Sequence, residues 1–168
     1  MIFFLMDIKT NVPAGAGQTA DGEIIAWSDK LATGIEIIDE QHKHLVNLTN
    51  ELFRACMRGG ETLDAVFKET MSRMVEYVKF HFTFEQQMLQ RVNYPDIVNH
   101  KKEHDTLIKT VLETTKEYGD GKRFVPNNFV RYLKDWIVSH IGHNDKLYAA
   151  YIMEQMKRGT ITRKMLEG

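Results

Sequence analysis

The stretch Tyr77-Val-Lys-Phe-His81-Phe-Thr-Phe-Glu85-Gln-Gln-Met-Leu89 decides the fold. Extended back to Phe67, its apolar positions recur every three or four residues, the spacing of one helical face. This predicts a helix over about Thr62–Arg91 whose inward stripe is Phe67, Thr70, Met74, Tyr77, Val78, His81, Glu85 and Met88. His81 and Glu85 interrupt the apolar stripe. They stand four apart and so project from one face, and an imidazole and a carboxylate buried without partners are costly. The helix therefore predicts a polar site inside the fold.

Working outward, Gly59-Gly60 stops a preceding helix, about Ile38–Arg58, because glycine takes the left-handed conformation without strain; its inward stripe is His42, Leu45, Leu48, Leu52 and Cys56. On the other side Asn93-Tyr94-Pro95 breaks the chain, since proline disfavours α geometry in the residue before it. A third helix follows over about Asp96–Tyr118, with Ile97, His100, His104, Leu107, Ile108 and Val111 inward. Gly119-Asp120-Gly121 ends it, and Pro126 suits the opening turn of a fourth helix reaching about Lys157, with Phe129, Leu133, Trp136, His140 and Leu147 on one face. No strand pattern competes. The expected fold is all-α, an antiparallel up-down-up-down four-helix bundle over residues 27–157. An N-terminal arm, residues 1–26, precedes it, and a C-terminal tail, residues 158–168, follows. Residues 7–24, with Pro13, Gly15, Gly17 and Gly22 and no apolar periodicity, read as a flexible arm.

Composition narrows the function classes. The 168 residues hold 22 Lys+Arg against 23 Asp+Glu, a formal net charge of −1, which leaves no basic field for nucleic acid or an anionic membrane. One Cys excludes an internal disulfide and any Cys-rich zinc or iron–sulfur site. Met1-Ile-Phe-Phe-Leu-Met6 lacks a basic leader and is shorter than a signal-peptide core. A soluble, cytoplasmic monomer is expected, with neither nucleic acid nor membrane as partner. The conspicuous figure is 7 His.

Five of these lie on inward stripes, His42, His81, His100, His104 and His140, accompanied by Glu85 and Asp145. A single His-x-x-x-His pair is weak, arising by chance roughly 0.3 times in such a chain. The combination is stronger. In an antiparallel bundle, residues equally far from a turn return to one level. His42 and His81 flank Gly60 at similar distances, as His104 and His140 flank Gly121, with Glu85 and His100 on either side of Pro95. All four helices thus bring polar groups to one level, at the end holding the Pro95 turn. Seven candidate ligands exceed what one zinc uses, whereas two ions bridged by carboxylates accommodate them all. Imidazole and carboxylate without thiolate suit iron, and manganese or zinc less well. Asp145 follows His140 by five residues, which misaligns it on a regular helix, so a one-residue widening, a π-bulge, is expected between them. His44 and His143 are expected at or near solvent, and Cys56 as a small core residue.

These motifs, Trp27-Ser-Asp, Gly34-Ile-Glu-Ile-Ile-Asp39-Glu-Gln-His42, His81-Phe-x-x-Glu85, His100-x-x-x-His104, Trp136-Ile-x-x-His140-Ile and the final Asp145, resemble the hemerythrins, most closely the bacterial ones, from Trp27 to about Tyr151. The resemblance implies a non-haem di-iron centre that binds O2, with two irons bridged by Glu85, Asp145 and a solvent-derived oxo or hydroxo group. It also implies that His100, His104 and His140 hold one iron, while His42 and His81 hold the other and leave a position open for O2. Gln86 stands where many relatives have a second Glu, off the ligand face.

An apolar shell would protect such a centre from water, and Ile38, Trp136, Ile137 and Ile141 are candidates that also serve as ordinary core. The expected function is reversible O2 binding for transport, storage or delivery, without enzymatic activity. The alternatives are a di-iron oxidase or peroxidase, and an O2-sensing interaction module whose arm or last helix moves with occupancy.

Overall fold

The computed structural model describes residues 22–122 and 125–167. Most of the expected arm, residues 1–21, lies outside the described residues, as do Arg123 and Phe124 of the last inter-helix loop and the terminal Gly168. The chain folds as helices α1 (Glu36–Arg58), α2 (Gly60–Arg91), α3 (Ile97–Gly119) and α4 (Val125–Ser139), a π-helical turn (His140–Asp145), α5 (Lys146–Lys157) and a short α6 (Lys164–Glu167). The fourth expected helix is thus α4, the π turn and α5 in continuous sequence. No strand occurs among the described residues.

Each long helix packs on its neighbours in sequence, and α1 closes the ring against α4. The turns are as tight as the glycines allow. Gly59 and Gly60 sit at φ 67° and 64°, the left-handed region glycine enters freely, and the Gly59 N–H donates to Ala55 O at 3.0 Å as α1 ends. At the other end Tyr94 N–H donates to Leu89 O at 2.9 Å, with Asn93 at φ 53° completing the reversal.

Two apolar clusters fill the interior. The larger includes Leu45, Leu48, Leu52, Phe67, Met74, Leu107, Val111, Phe129 and Leu133, toward the Gly59-Gly60 end. The smaller, toward the Pro95 turn, includes Ile35, Ile38, Met88, Leu89, Val92, Tyr148 and Ile152. Between them lies a polar layer. Cys56, expected in the first helix's stripe, is only half-buried, packing against the larger cluster while Ala55 takes the interior position.

Leu147, expected on the inward face, is instead 50% exposed, while Tyr148 and Ile152 are fully buried. The π turn is the reason. It adds one residue to the helix, so the face that regular spacing assigns to Leu147 passes to its neighbour.

Residues beyond both ends of the bundle are docked onto it. Ahead of α1, the buried Asn50 side chain accepts from Ile24 and Ile25 N–H at 3.0 and 3.1 Å and returns a bond to Ile25 O at 2.8 Å. Packing therefore begins before Trp27. The carboxylate of Asp39, in the first turn of α1, accepts from Thr33 N–H, Thr33 hydroxyl and Gly34 N–H, fixing the angle at which the chain enters the helix. After α5, Ile161 and Leu166 are buried in the smaller cluster, and Arg91 Nε–H donates to Met165 O at 3.0 Å. Residues 158–167 thus cover the end of the smaller cluster.

Candidate metal centre

All seven residues singled out by sequence meet in the polar layer, and each is buried: His42, Glu85, His104 and Asp145 have no exposure, His81 and His140 2%, and His100 5%. His42 comes from α1, His81 and Glu85 from α2, His100 and His104 from α3, and His140 and Asp145 from the two ends of the π turn. The expected backbone widening between His140 and Asp145 is present over those six residues. Gly142 in its middle packs beneath Leu31 and the Lys30 carbonyl, where an added Cβ would make ordinary contacts of 3.6 Å, so no clash dictates glycine there.

The polar atoms divide into two groups. Glu85, His100, His104 and His140 each offer one ligand atom, all within 4.8 Å of one another, and so do His42, His81 and Glu85. Glu85 Oε2 lies 3.0 Å from His100 Nε2 and 3.1 Å from His104 Nε2. Asp145 spans the groups, with Oδ1 3.2 Å from His140 Nε2 and Oδ2 3.2 Å from His42 Nε2.

Electrostatics follow from burial and from these contacts. Burial pushes His81 down to about 3, and burial with the neighbouring His104 and His100 lowers His140 similarly. Burial presses hardest on His100, but its contact with Glu85 together with the charges of Glu85, Asp145 and Glu103 outweighs that and leaves its pKa raised; burial likewise presses hardest on His42, and the Asp145 carboxylate with the charges of Glu85 and Asp39 outweighs it. Burial presses the Glu85 pKa up, but the contacts with His100 and His104 together with the charges of His81 and His104 outweigh it and hold the carboxylate well below its ordinary range. Asp145 is raised, by burial and by the charge of Glu85.

The Hemerythrin HHE cation binding domain, as a family model, matches residues 33–152. The chain belongs to the hemerythrin family. It is similar to the bacteriohemerythrin of Pseudomonas aeruginosa, 32% identical over 132 residues covering 79% of this chain and 84% of the relative. The bacteriohemerythrin of Methylococcus capsulatus is 30% identical over 131 residues, 74% of this chain and 94% of the relative. Among solved structures, wild-type hemerythrin superposes with a TM-score of 0.68 at 28% identity, over 75% of this chain and 95% of that one.

A cation-binding role for this hemerythrin bundle fits atoms left without partners. Both nitrogens of His42, Nδ1 of His104 and both oxygens of Asp145 are buried with no hydrogen bond. Each such atom costs about 1–3 kcal/mol if nothing satisfies it. A cation between His42 Nε2 and the Asp145 oxygens would satisfy three of the five. The Nε2 atoms of His104 and His140 stand 2.9 Å apart, close to the separation of about 3 Å for two imidazoles at right angles on one ion.

Sequence reasoning missed three residues that hold this group. Gln41 Oε1 accepts from His81 Nδ1 at 2.7 Å, Glu103 Oε2 accepts from His140 Nδ1 at 2.6 Å, and the Tyr148 hydroxyl donates to Glu85 Oε1 at 2.5 Å. Gln41 and Glu103 each directly precede a site histidine, the one signal that could have found them. Tyr148 was hidden by the assumption of regular helical spacing. Phe82 stacks on His104 with ring centres 3.6 Å apart, and Trp136 on His140 at 4.2 Å. Ile38, Ile137 and Ile141 are buried nearby in sequence, as expected of an apolar shell or of plain core. His44 and His143 are exposed and stay outside the group.

Proposed function

We propose that this hemerythrin-family protein binds O2 reversibly at a non-haem di-iron centre and serves in oxygen transport, storage or delivery rather than as an enzyme. The observation that carries the reading is the division of seven buried residues into two groups joined through Glu85 and Asp145. His100, His104 and His140 would hold one iron, and His42 and His81 the other, the pair sharing the two carboxylates and a solvent-derived oxo or hydroxo bridge. The unequal histidine count would leave the second iron a position for O2. The chemistry two ferrous ions supply is reversible electron donation to O2. The chain's part is to orient and to exclude. Gln41 and Glu103 turn the His81 and His140 rings so that Nε2 faces the interior. The Phe82 ring lies flat against His104 and shields it from water.

A cytoplasmic location is part of the same proposal, in keeping with a free Cys56 whose thiol burial pushes up to about 11, where it is poorly reactive. The experiment is anaerobic loading with Fe(II), metal analysis, then exposure to O2. About two irons per chain, and a visible absorption band that appears with O2 and vanishes under vacuum over repeated cycles, support the proposal. Fewer irons, or unchanged iron and colour in His104→Ala, count against it. A band that decays while consuming a reductant favours an oxidase or peroxidase.

A further inference from the structure

We infer that Glu103 is a positioning residue for the centre, a carboxylate clamp from α3 that sets the tautomer of His140 and holds the π turn carrying Asp145. The inference rests on the metal reading above, and the geometry beneath it is independent of that reading. Glu103 Oε2 receives two bonds, from His140 Nδ1 at 2.6 Å and from Asn144 Nδ2 at 2.5 Å. These donors sit near the two ends of the π turn, His140 opening it and Asn144 directly before Asp145. One carboxylate oxygen therefore ties both ends of the irregular segment to a regular neighbouring helix.

Two consequences follow. A carboxylate accepts only, so the proton it binds must be on Nδ1 of His140, and Nε2 keeps a lone pair directed at His104 and Asp145. A metal-ligating histidine requires that arrangement, because the partner of the other ring nitrogen fixes orientation and raises basicity. Second, a π turn is a sparsely used backbone, and the Asn144 bond ties it to α3 at the residue adjoining Asp145. Glu103 itself is 43% exposed, so its contribution is to geometry at the His140 end rather than to core packing.

The test uses the full chain and the variants Glu103→Ala, Glu103→Gln and Asn144→Ala. In metal-free protein, the imidazole nitrogen-15 shifts of His140 report its tautomer. The parent should show Nδ1 protonated and Nε2 free. Glu103→Ala should lose that pattern, and Glu103→Gln, whose amide oxygen can still accept, should restore it. In iron-loaded protein, release to a chelator should be roughly 10–100 times faster in Glu103→Ala, with Glu103→Gln between that variant and the parent. Asn144→Ala should keep the tautomer yet speed release, separating the two halves of the clamp. Unchanged His140 shifts together with release within about twofold of the parent in Glu103→Ala would overturn the inference. A parent protein that takes up no iron defeats the di-iron reading itself, and appears as equal absence of metal in every variant, while the metal-free shifts still decide whether Glu103 sets the tautomer.

Discussion

His104 Nε2 and His140 Nε2 face each other across 2.9 Å of buried interior, on helices that run in opposite directions. Two imidazole nitrogens this close repel unless a proton or a cation lies between them. Ferrous ion at a thousandfold its dissociation constant should therefore raise the unfolding free energy by about 4 kcal/mol. Magnesium, which prefers oxygen ligands and retains its waters, should give little. Denaturant titration with each ion checks this, and His140→Ala should abolish the iron effect.

Acid should destabilise the metal-free protein through its buried neutral histidines. His81, held down to about 3 against an ordinary 6.5, and His140, lowered in the same direction, stay neutral in the fold where the unfolded chain would protonate them. The unfolded state then binds more protons, so stability falls as pH drops below 6.5, by about 1.4 kcal/mol per pH unit for each such group. His42 and His100 are shifted upward and act on the other side, their contribution being lost as pH rises above 6.5. Urea midpoints between pH 5 and 8 should thus peak near neutrality, and a flat profile would contradict buried neutral imidazoles.

Tyr148→Phe removes the hydroxyl that donates to Glu85 Oε1 and leaves a fully buried carboxylate oxygen short of a donor. The expected cost in the metal-free protein is about 1–3 kcal/mol, read from equilibrium unfolding. The ring keeps its contacts with Tyr94 and His100, so no cavity forms. An unchanged stability would mean that the bond contributes nothing.

The π turn separates two single-residue changes that look alike on paper. Deleting the exposed His143 converts the five-residue offset between His140 and Asp145 to four, which a regular α-helix aligns. Tyr148 and Ile152 should stay inward and the protein should fold with its iron capacity. Inserting one alanine after His143 rotates everything beyond it by about 100°, expelling Tyr148 and Ile152 from the smaller cluster. Circular dichroism and metal content distinguish the two, and equal behaviour would refute the account of the turn.

Much of this was legible in the chain because two periodicities coincide. Apolar spacing placed the helices, with ends within a few residues, and histidine spacing measured from each turn placed His42, His81, His100, His104 and His140 at one level. The offset between His140 and Asp145 even forecast the widened backbone. Its downstream effect went unread, since carrying regular spacing past Asp145 selects Leu147 where the fold buries Tyr148. Glu103 and Gln41 were illegible for a different reason. Both belong to polar runs that resemble a solvated helix face, and only the neighbouring helix shows what their oxygens accept. The docking of Ile24 and Ile25 on α1 rests on Asn50, a polar residue that the apolar periodicity of α1 passes over.

The sharing of the polar layer among all the long helices has a consequence for assembly. The first three helices carry five of the seven proposed ligands, and the remaining two, His140 and Asp145, lie on the π turn. A chain emerging from the ribosome, or a clipped one lacking its last segment, can offer histidines but cannot close the second carboxylate bridge. On the proposed di-iron reading, tight capture of both ions would therefore mark a finished molecule, and a half-built one would stay colourless.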